Sequence, residues 1–209
     1  MTMTDATRAG YDAVAATYAK RFLDELAGKP IDRALLDLFV VEAAAPIADI
    51  GCGPGQVARY LHDRGAHSLG LDLSPRMIDI AARTHSGIDF LVADMLSLPV
   101  ADQSWGGIVA FYSIIHISPP RLPAVFAEFH RVLRPGGRAL LAFHLGSELR
   151  HLDDWWDHVV SLDFQFYERS SVEDALTAAG FLVDAYLERR SYPQEVETTR
   201  AYLMARRPG

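Results

Sequence analysis

The chain has 209 residues, of which 50% are hydrophobic and 22% are charged, and its formal net charge is −7. This balance indicates a folded protein with one buried core and excludes a disordered chain. Proteins that bind nucleic acid usually carry a basic stripe, whereas the arginines here are scattered, so we expect no nucleic-acid partner.

Cysteine usage and hydropathy bear on the compartment. Cys52 is the only cysteine, which fits a reducing environment. The first ten residues lack an apolar segment of signal-peptide length, and the longest apolar run is too short to cross a bilayer. We therefore expect a cytoplasmic protein with no membrane role.

The first 45 residues predict an N-terminal helical cap made of two amphipathic helices, at residues 10–26 and 31–44. In the first helix Tyr11, Val14, Tyr18 and Phe22 recur at helical spacing, so this face should be buried. Pro46 ends the second helix because a proline disfavours helix in the residue before it.

From residue 47 onward, short apolar strands alternate with helices. The predicted strands cover residues 47–50, 67–72, 88–94, 105–113 and 138–144, and the predicted helices cover 56–65, 74–85 and 119–133. A further helix at 171–180 precedes two strands, at 181–192 and 198–207, which we expect to pair as a hairpin-like edge. Because the strands are apolar on both faces, the pattern predicts one α/β domain with a mainly parallel sheet and helices on both sides.

Residues 146–170 interrupt the alternation and are expected to form an inserted segment. The segment offers Trp155, Trp156, Phe164, Phe166 and Tyr167 as aromatic surface, although ordinary packing explains part of this set. His144, His151 and His158 recur every seven residues, which is compatible with one polar helix face. No recognised metal-ligand spacing is present, so we expect no metal site.

The stretch "ADIGCGPGQVARYL" places Gly51, Gly53 and Gly55 between a strand and a helix. Such a turn lets backbone approach a ligand at the carboxyl end of a parallel strand, although a tight turn without ligand gives the same pattern. Asp72 ends the next strand, where its carboxylate can accept hydrogen bonds from ribose hydroxyls. Ser74 is available to cap the following helix, which favours the ribose role for Asp72.

The position of the third glycine in the motif indicates which class of nucleoside cofactor is bound. Dinucleotide enzymes use G-x-G-x-x-G, but Gln56 occupies the last glycine position here, and the pattern is the tighter G-x-G-x-G. Asp94 ends the third strand, where its carboxylate could accept a hydrogen bond from an adenine amino group, with the N–H of Met95 reaching a ring nitrogen.

Five ordered segments resemble the motifs of the class I S-adenosylmethionine (SAM) dependent methyltransferases: "DIGCGPG", "GLDLSPRMI", "VADMLSLP", "GGIVAFYSIIHI" and "EFHRVLRPGGRALLAFH". The likeness covers about residues 11–144, and "YLMARRP" resembles the last strand of that fold. It implies a Rossmann-like, seven-stranded sheet with an antiparallel last strand and SAM across the strand ends. The implied reaction is methyl transfer to an O, N or C atom of a small molecule, releasing S-adenosylhomocysteine.

The resemblance also implies which residues surround the cofactor. They are Tyr11, Tyr18, Asp49, Gly51, Cys52, Gly53, Gly55, Asp72, Leu73, Met77, Asp94, Met95 and Phe111. Asp49 would support the amino group, and Leu73 and Phe111 would form apolar walls. Tyr11 and Tyr18 would cover the site, with a core role equally open. Cys52 is interpreted as a small packed residue and not a nucleophile.

Candidate catalytic residues are His116, after the fourth strand, and His144, at the end of the fifth. Either could remove a proton from the acceptor, although each could instead have a structural role, which for His116 is to hold its loop. The inserted segment at residues 146–170 would lie on the acceptor side of the site, where its aromatic residues suit a flat or apolar acceptor. We expect the protein to be a monomer or homodimer. Two alternatives stay open: a SAM-binding protein without methyl transfer, and a nicotinamide oxidoreductase, against which Gln56 speaks.

Overall fold

The computed structural model describes residues 3–209. The α-helices are α1 (Met3–Phe22), α2 (Pro30–Glu42), α3 (Gln56–Asp63), α4 (Pro75–Thr84), α5 (Leu122–Val132) and α6 (Arg169–Ala178). The strands are β1 (Ile47–Ile50), β2 (Ser68–Asp72), β3 (Asp89–Val92), β4 (Trp105–Phe111), β5 (Leu133–His144), β6 (Leu149–Trp155), β7 (His158–Gln165), β8 (Leu182–Arg189) and β9 (Arg200–Arg206). Short 3₁₀ helices cover Glu25–Gly28, Ile114–His116 and Pro119–Arg121.

Seven of these strands form one sheet in the order β3-β2-β1-β4-β5-β9-β8. The first five pair in parallel, and β9 is antiparallel to both β5 and β8. The predicted fold class, a Rossmann-like sheet with an antiparallel last strand, is therefore confirmed. β8 and β9 pair as expected. Of these two strands only β8 lies at an edge of the sheet, because β9 lies between β5 and β8.

Both faces of the sheet are covered because successive side chains of a buried strand point to opposite sides. In β4, Ile108 packs with Phe129 of α5 on one face. Its neighbour Val109 packs with Phe39 of α2 and Leu61 of α3 on the other face. Within residues 3–209, no helix combines the length and apolarity that crossing a membrane requires.

The inserted segment is a two-stranded antiparallel sheet of its own, made of β6 and β7. Trp156 and Asp157 join the strands with φ angles of 54° and 64°, which is the geometry of a type I′ turn. α1 packs across β7, and Val14 shares a small apolar cluster with Val160 and Leu162. His144, His151 and His158 therefore do not share a polar helix face, which was one interpretation of their spacing.

Candidate active site

A cavity of about 950 Å³ lies at the carboxyl ends of β1, β2 and β4, below α1 and the β6–β7 hairpin. This volume is at the upper end for small-molecule sites, which leaves room for two ligands side by side. The predicted site residues that line it are Tyr11, Tyr18, Asp49, Gly51, Cys52, Gly53, Asp72, Leu73, Met77, Asp94, Met95, Phe111, His116 and His144.

Two of the three motif glycines are required by packing. Gly51 has a φ of 75°, and a Cβ atom there would lie 2.2 Å from Cβ of Ser113. Gly55 has a φ of 88°, and its Cβ would lie 2.8 Å from Cδ2 of His85, away from the cavity lining. Gly55 therefore lets α3 begin close to its neighbours, and the expectation that it passes beside a ligand does not match this position.

Gly53 is the glycine that faces the cavity without obstruction. Its φ is 52°, and a Cβ there would come no nearer than 3.8 Å to Tyr18. The backbone N–H of Gly53 donates to Oδ2 of Asp72 over 2.8 Å, which joins the end of β1 to the end of β2. The turn therefore offers bare backbone beside a carboxylate.

The Asp72 carboxylate is held by backbone on both of its oxygens. Besides the bond from Gly53, its Oδ1 accepts from the N–H of Ser74 over 2.8 Å. Desolvation in the cavity raises the pKa of Asp72 to about 6. A carboxylate has about four acceptor sites, so a ligand can still donate to it. Ser74 caps α4 by accepting from the N–H of Met77 over 3.1 Å, which confirms the predicted cap.

The other two acidic residues are also partly engaged. Asp94 accepts from the N–H of Leu96 over 3.0 Å through Oδ1. Asp49 is 2% exposed and accepts from the N–H of Ala58 over 3.0 Å, so its carboxyl joins β1 to α3. Burial raises the pKa of Asp49 to about 8, which keeps it protonated at neutral pH.

Cys52 has the surroundings of a packed residue. Its thiol is buried, and Sγ lies 2.9 Å from where a Cβ on Gly70 would be. Burial raises the pKa of the Cys52 thiol well above its usual range. A protonated, enclosed thiol is a poor nucleophile, in line with the interpretation made from the sequence.

Tyr11 and His116 form a hydrogen-bonded pair at the cavity wall. Nδ1 of His116 lies 2.8 Å from the carbonyl oxygen of Asp163, which can only accept, so Nδ1 carries the proton. Nε2 then accepts from the hydroxyl of Tyr11 over 2.7 Å. Burial lowers the pKa of His116 to about 4. Both of its nitrogens are occupied and the ring is neutral, so it presents no free base to a ligand.

Trp155 closes the cavity from the hairpin. Its ring contacts Tyr11 and Tyr18 edge-to-face, with centroid distances of 5.8 and 5.9 Å, and Phe164 at 5.5 Å. Of the aromatic residues predicted for this segment, Trp155, Phe164 and Phe166 line the cavity. Tyr167 is instead buried against Phe143, and Trp156 packs on Phe22.

The three histidines at seven-residue spacing lie on three different strands. His144 ends β5 and lines the cavity, His151 is on β6 between Asp153 and Asp163, and His158 begins β7. Among residues 3–209, no group of three or more histidine, cysteine or acidic side chains is arranged to hold a metal ion.

Comparison with known proteins assigns this architecture. The model of a family described as "Methyltransferase domain" matches residues 47–137, which hold the glycine turn, Asp72 and Asp94. Residues 47–137 are thus identified as a methyltransferase domain of the class I SAM-dependent type. A malonyl-(acyl-carrier protein) O-methyltransferase of Hahella chejuensis is 37% identical over 155 residues, covering 71% of this chain and 53% of the relative. The chain thus spans about half the length of the curated relatives it matches.

Solved structures share the fold of this chain. Magnesium protoporphyrin IX methyltransferase from Synechocystis, with bound S-adenosylhomocysteine, gives a TM-score of 0.76 at 14% identity, covering 99% of this chain and all of the other. The (4+2)-cyclase SpnF gives 0.72 at 20% identity, covering 100% and 97% of the two chains. At these identities the likeness concerns the fold alone.

The lining of the cavity fits SAM at a position that sequence reasoning missed. Gln56, noted only as a departure from the dinucleotide pattern, begins α3 and lines the cavity. Its Nε2 donates to Glu25 over 3.0 Å, while its Oε1 is buried with no hydrogen-bond partner among the described residues. An unpaired acceptor beside Gly53 matches the α-ammonium group of SAM.

Buried charged residues at the far end of the cavity were also missed. Lys29, Glu195 and Arg200 line it, and Lys29 bonds Glu25 over 2.5 Å and Glu195 over 3.3 Å. In the sequence, such residues are marked only by a charge within an otherwise apolar element. Arg200, which begins the buried strand β9, is an example. Asp32 gives the same signal on the apolar face of α2.

Proposed function

We propose that this protein transfers a methyl group from SAM to a small-molecule acceptor and releases S-adenosylhomocysteine. The observation that carries the proposal is one continuous cavity with two unlike halves. One half has bare backbone at Gly53 beside Asp72 and Asp94, and the other has the aromatic walls of Trp155 and Phe164. A cofactor and an apolar acceptor can therefore meet in one enclosed space.

In the cofactor half, we assign Asp72 to the ribose hydroxyls and Asp94 with Met95 to adenine. Gln56 would accept from the α-ammonium group through the oxygen that has no protein partner. When bound, SAM supplies an electrophilic methyl group on a sulfonium. Leu73, Met77 and Phe111, all in the cavity lining, would give the apolar contacts.

Between the two halves, Tyr11 and Tyr18 present aromatic rings from α1. The rings contact each other edge-to-face, with centroids 5.9 Å apart and planes at 69°, and both line the cavity, so a cation in the cavity could lie against an electron-rich ring face. Methyl transfer is an in-line displacement, which such walls favour by alignment and by excluding water. We assign His116 the task of holding the Tyr11 hydroxyl, since both ring nitrogens are already bonded.

The acceptor is proposed to be flat or apolar, on the strength of Trp155, Phe164 and Phe166 in the lining. The single cysteine supports a cytoplasmic location, and the scattered arginines support a protein without a nucleic-acid partner.

The Asp72→Asn variant tests the cofactor assignment. Replacing the carboxylate by an amide removes charge-assisted hydrogen bonds to the ribose, each worth about 1.5 to 3 kcal/mol, so SAM affinity should fall about tenfold to a hundredfold. Titration calorimetry with SAM measures the change. The matched control is Asp89→Asn, at the exposed start of β3, which should bind SAM like the wild type.

Two results would contradict the proposal. Equal SAM affinity of the Asp72→Asn and Asp89→Asn proteins would remove the ribose assignment. Tight SAM binding with no S-adenosylhomocysteine formed, across a panel of phenols, carboxylic acids and amines, would favour a SAM-binding protein without methyl transfer.

A further inference from the structure

His144 is clamped at the end of the cavity away from the glycine turn. Its ring stacks on Phe166, with centroids 5.2 Å apart and planes at 26°, and its centroid lies 5.2 Å from that of the Tyr112 ring, with planes at 36°. All three residues line the cavity. The ring plane is therefore fixed, and only the nitrogen edges are left for polar contacts.

The hydrogen-bond network assigns the proton of His144. Arg200 donates from Nη1 to Oγ1 of Thr198 over 3.0 Å, and an arginine cannot accept. Oγ1 of Thr198 lies 2.9 Å from Nδ1 of His144, and among the hydrogen bonds of the described residues Nδ1 is the acceptor within reach of the Thr198 hydroxyl proton, which fits a bond donated from this hydroxyl to Nδ1. The neutral ring then carries its own proton on Nε2, which has no hydrogen-bond partner among the residues described.

This protonation state makes His144 a donor. Burial first, and the nearby cations of Arg200 and Arg150 second, lower the pKa of His144 to about 4. The ring is therefore neutral at physiological pH, and Nδ1, its only basic nitrogen, is occupied by Thr198. The sequence suggested a general base at this position, but the geometry provides an N–H group facing the cavity.

Three cations act on the His144 ring, from Arg200 of β9, Arg150 of β6 and Lys29 before α2, together with the carboxylate of Glu195. Arg150 also pairs with Glu148 over 2.5 Å, and Lys29 pairs with Glu25 over 2.5 Å. The Arg150 guanidinium lies 4.5 Å over the Phe166 ring, and Lys29 lies 5.7 Å from the Tyr112 ring centroid. Glu195 is shared, because it also bonds Lys29 and Arg200. An anion at Nε2 would be attracted first by Arg200, the cation that acts most strongly on the ring.

We propose that this end of the cavity binds a carboxylate of the methyl acceptor, with His144 donating from Nε2 and the aromatic walls holding the apolar body of the same molecule. This inference rests on the proposed function and names its substrate class, a small apolar carboxylic acid. SAM carries a carboxylate of its own, so the experiment has to separate the two sources.

The test uses the full chain saturated with S-adenosylhomocysteine. Benzoate, phenylacetate, 3-phenylpropionate and cinnamate are titrated calorimetrically, each against its own neutral amide. At least one acid should bind about tenfold tighter than its amide, because a charge-assisted hydrogen bond is lost in the amide. His144→Phe keeps a ring in the stack and removes the donor, so it should abolish that preference. His67→Phe, at an exposed position before β2, should retain it.

The outcomes separate this inference from the proposed function. If every acid binds no better than its amide, or His144→Phe behaves like His67→Phe, the carboxylate site is overturned. If His144→Phe weakens SAM but not 5′-methylthioadenosine, which lacks the amino-acid end, the carboxylate at His144 belongs to SAM and the inference is again overturned. If SAM and S-adenosylhomocysteine do not bind the wild type, the proposed function itself fails.

Discussion

The two polar atoms of the Gln56 side chain have different surroundings, since one contacts the protein and the other faces the cavity. Nε2 is bonded to Glu25, which fixes Oε1 on the other side, where it is buried and unpaired in the part of the chain that the structure describes. A buried acceptor without a donor costs about 1 to 3 kcal/mol. A ligand ammonium group would recover that free energy on binding.

The Gln56→Leu variant should therefore lose affinity for SAM, about tenfold, because the ammonium group loses its acceptor. The affinity for 5′-methylthioadenosine, which has no amino-acid end, should not change. Calorimetric titration of both ligands into both proteins gives the comparison. If the two ligands weaken equally, the variant has disturbed the start of α3, and the ammonium assignment is wrong.

Asp49 links the cavity to pH-dependent stability. Its pKa is about 8 in the folded protein because of burial, whereas an aspartate in the unfolded chain titrates near 3.9. Between these values the folded state holds a proton that the unfolded state has lost. The stability that this group contributes is therefore complete below about pH 4 and is lost as the pH rises through 8.

The Asp49→Asn variant should remove this dependence, since an amide keeps an acceptor for the N–H of Ala58 without a titrating proton. From pH 7 to pH 9, the wild type should lose about 1 kcal/mol of unfolding free energy relative to the variant. Urea unfolding of both ligand-free proteins at pH 7, 8 and 9 measures the difference. Parallel curves would mean that Asp49 is already ionised at pH 7.

At the scale of the element, the central sheet could be predicted because its strands are buried on both faces. Apolar runs at residues 47–50, 105–113 and 138–144 have no other low-energy place in a protein of this size, and each contains a strand of the sheet. The cap at Ser74 followed from side-chain chemistry alone.

The hairpin of β6 and β7 was missed for a local reason. Its turn has positive φ angles at Trp156 and Asp157, where glycine or asparagine is the usual signal. Most residues of β6 are exposed, so the apolar alternation that marks a strand is weak there. The spacing of His144, His151 and His158 then imitated a helix face by coincidence of strand lengths.

Within the site, the residues that a local motif carries could be found, and those that a distant partner defines could not. Asp72 follows from its place at a strand end, whereas the meaning of Arg189 depends on Asp32, 157 residues away. A single sequence gives no information about contacts between residues that lie so far apart in the chain. Gly55 was misplaced because the turn motif does not say which glycine meets the ligand and which meets the protein.

At the scale of the whole molecule, a buried ion cluster joins the two ends of the chain; we define it as Asp32, Arg189, Glu195, Arg200 and Tyr202. Arg189 bonds Asp32 over 2.9 Å and Glu195 over 2.6 Å, with 5% of its side chain exposed. It also donates to the Tyr202 hydroxyl, which donates to Asp32. The cluster thus fastens α2 to β8, β9 and the loop between them, directly behind the His144 end of the cavity.

Arg189→Gln should destabilise the protein by about 3 to 5 kcal/mol, because it leaves the buried Asp32 carboxylate without a cation. Arg190→Gln, at the exposed neighbouring position, is the matched control and should stay within about 0.5 kcal/mol of the wild type. Urea unfolding at pH 7 measures both. Adding Asp32→Asn to Arg189→Gln should recover part of the loss, since it removes the carboxylate that the first change left with Tyr202 alone. A loss in Arg189→Gln no larger than in its neighbour, or a double variant weaker than the single, would mean that packing rather than charge compensation holds the N-terminal helices to the sheet.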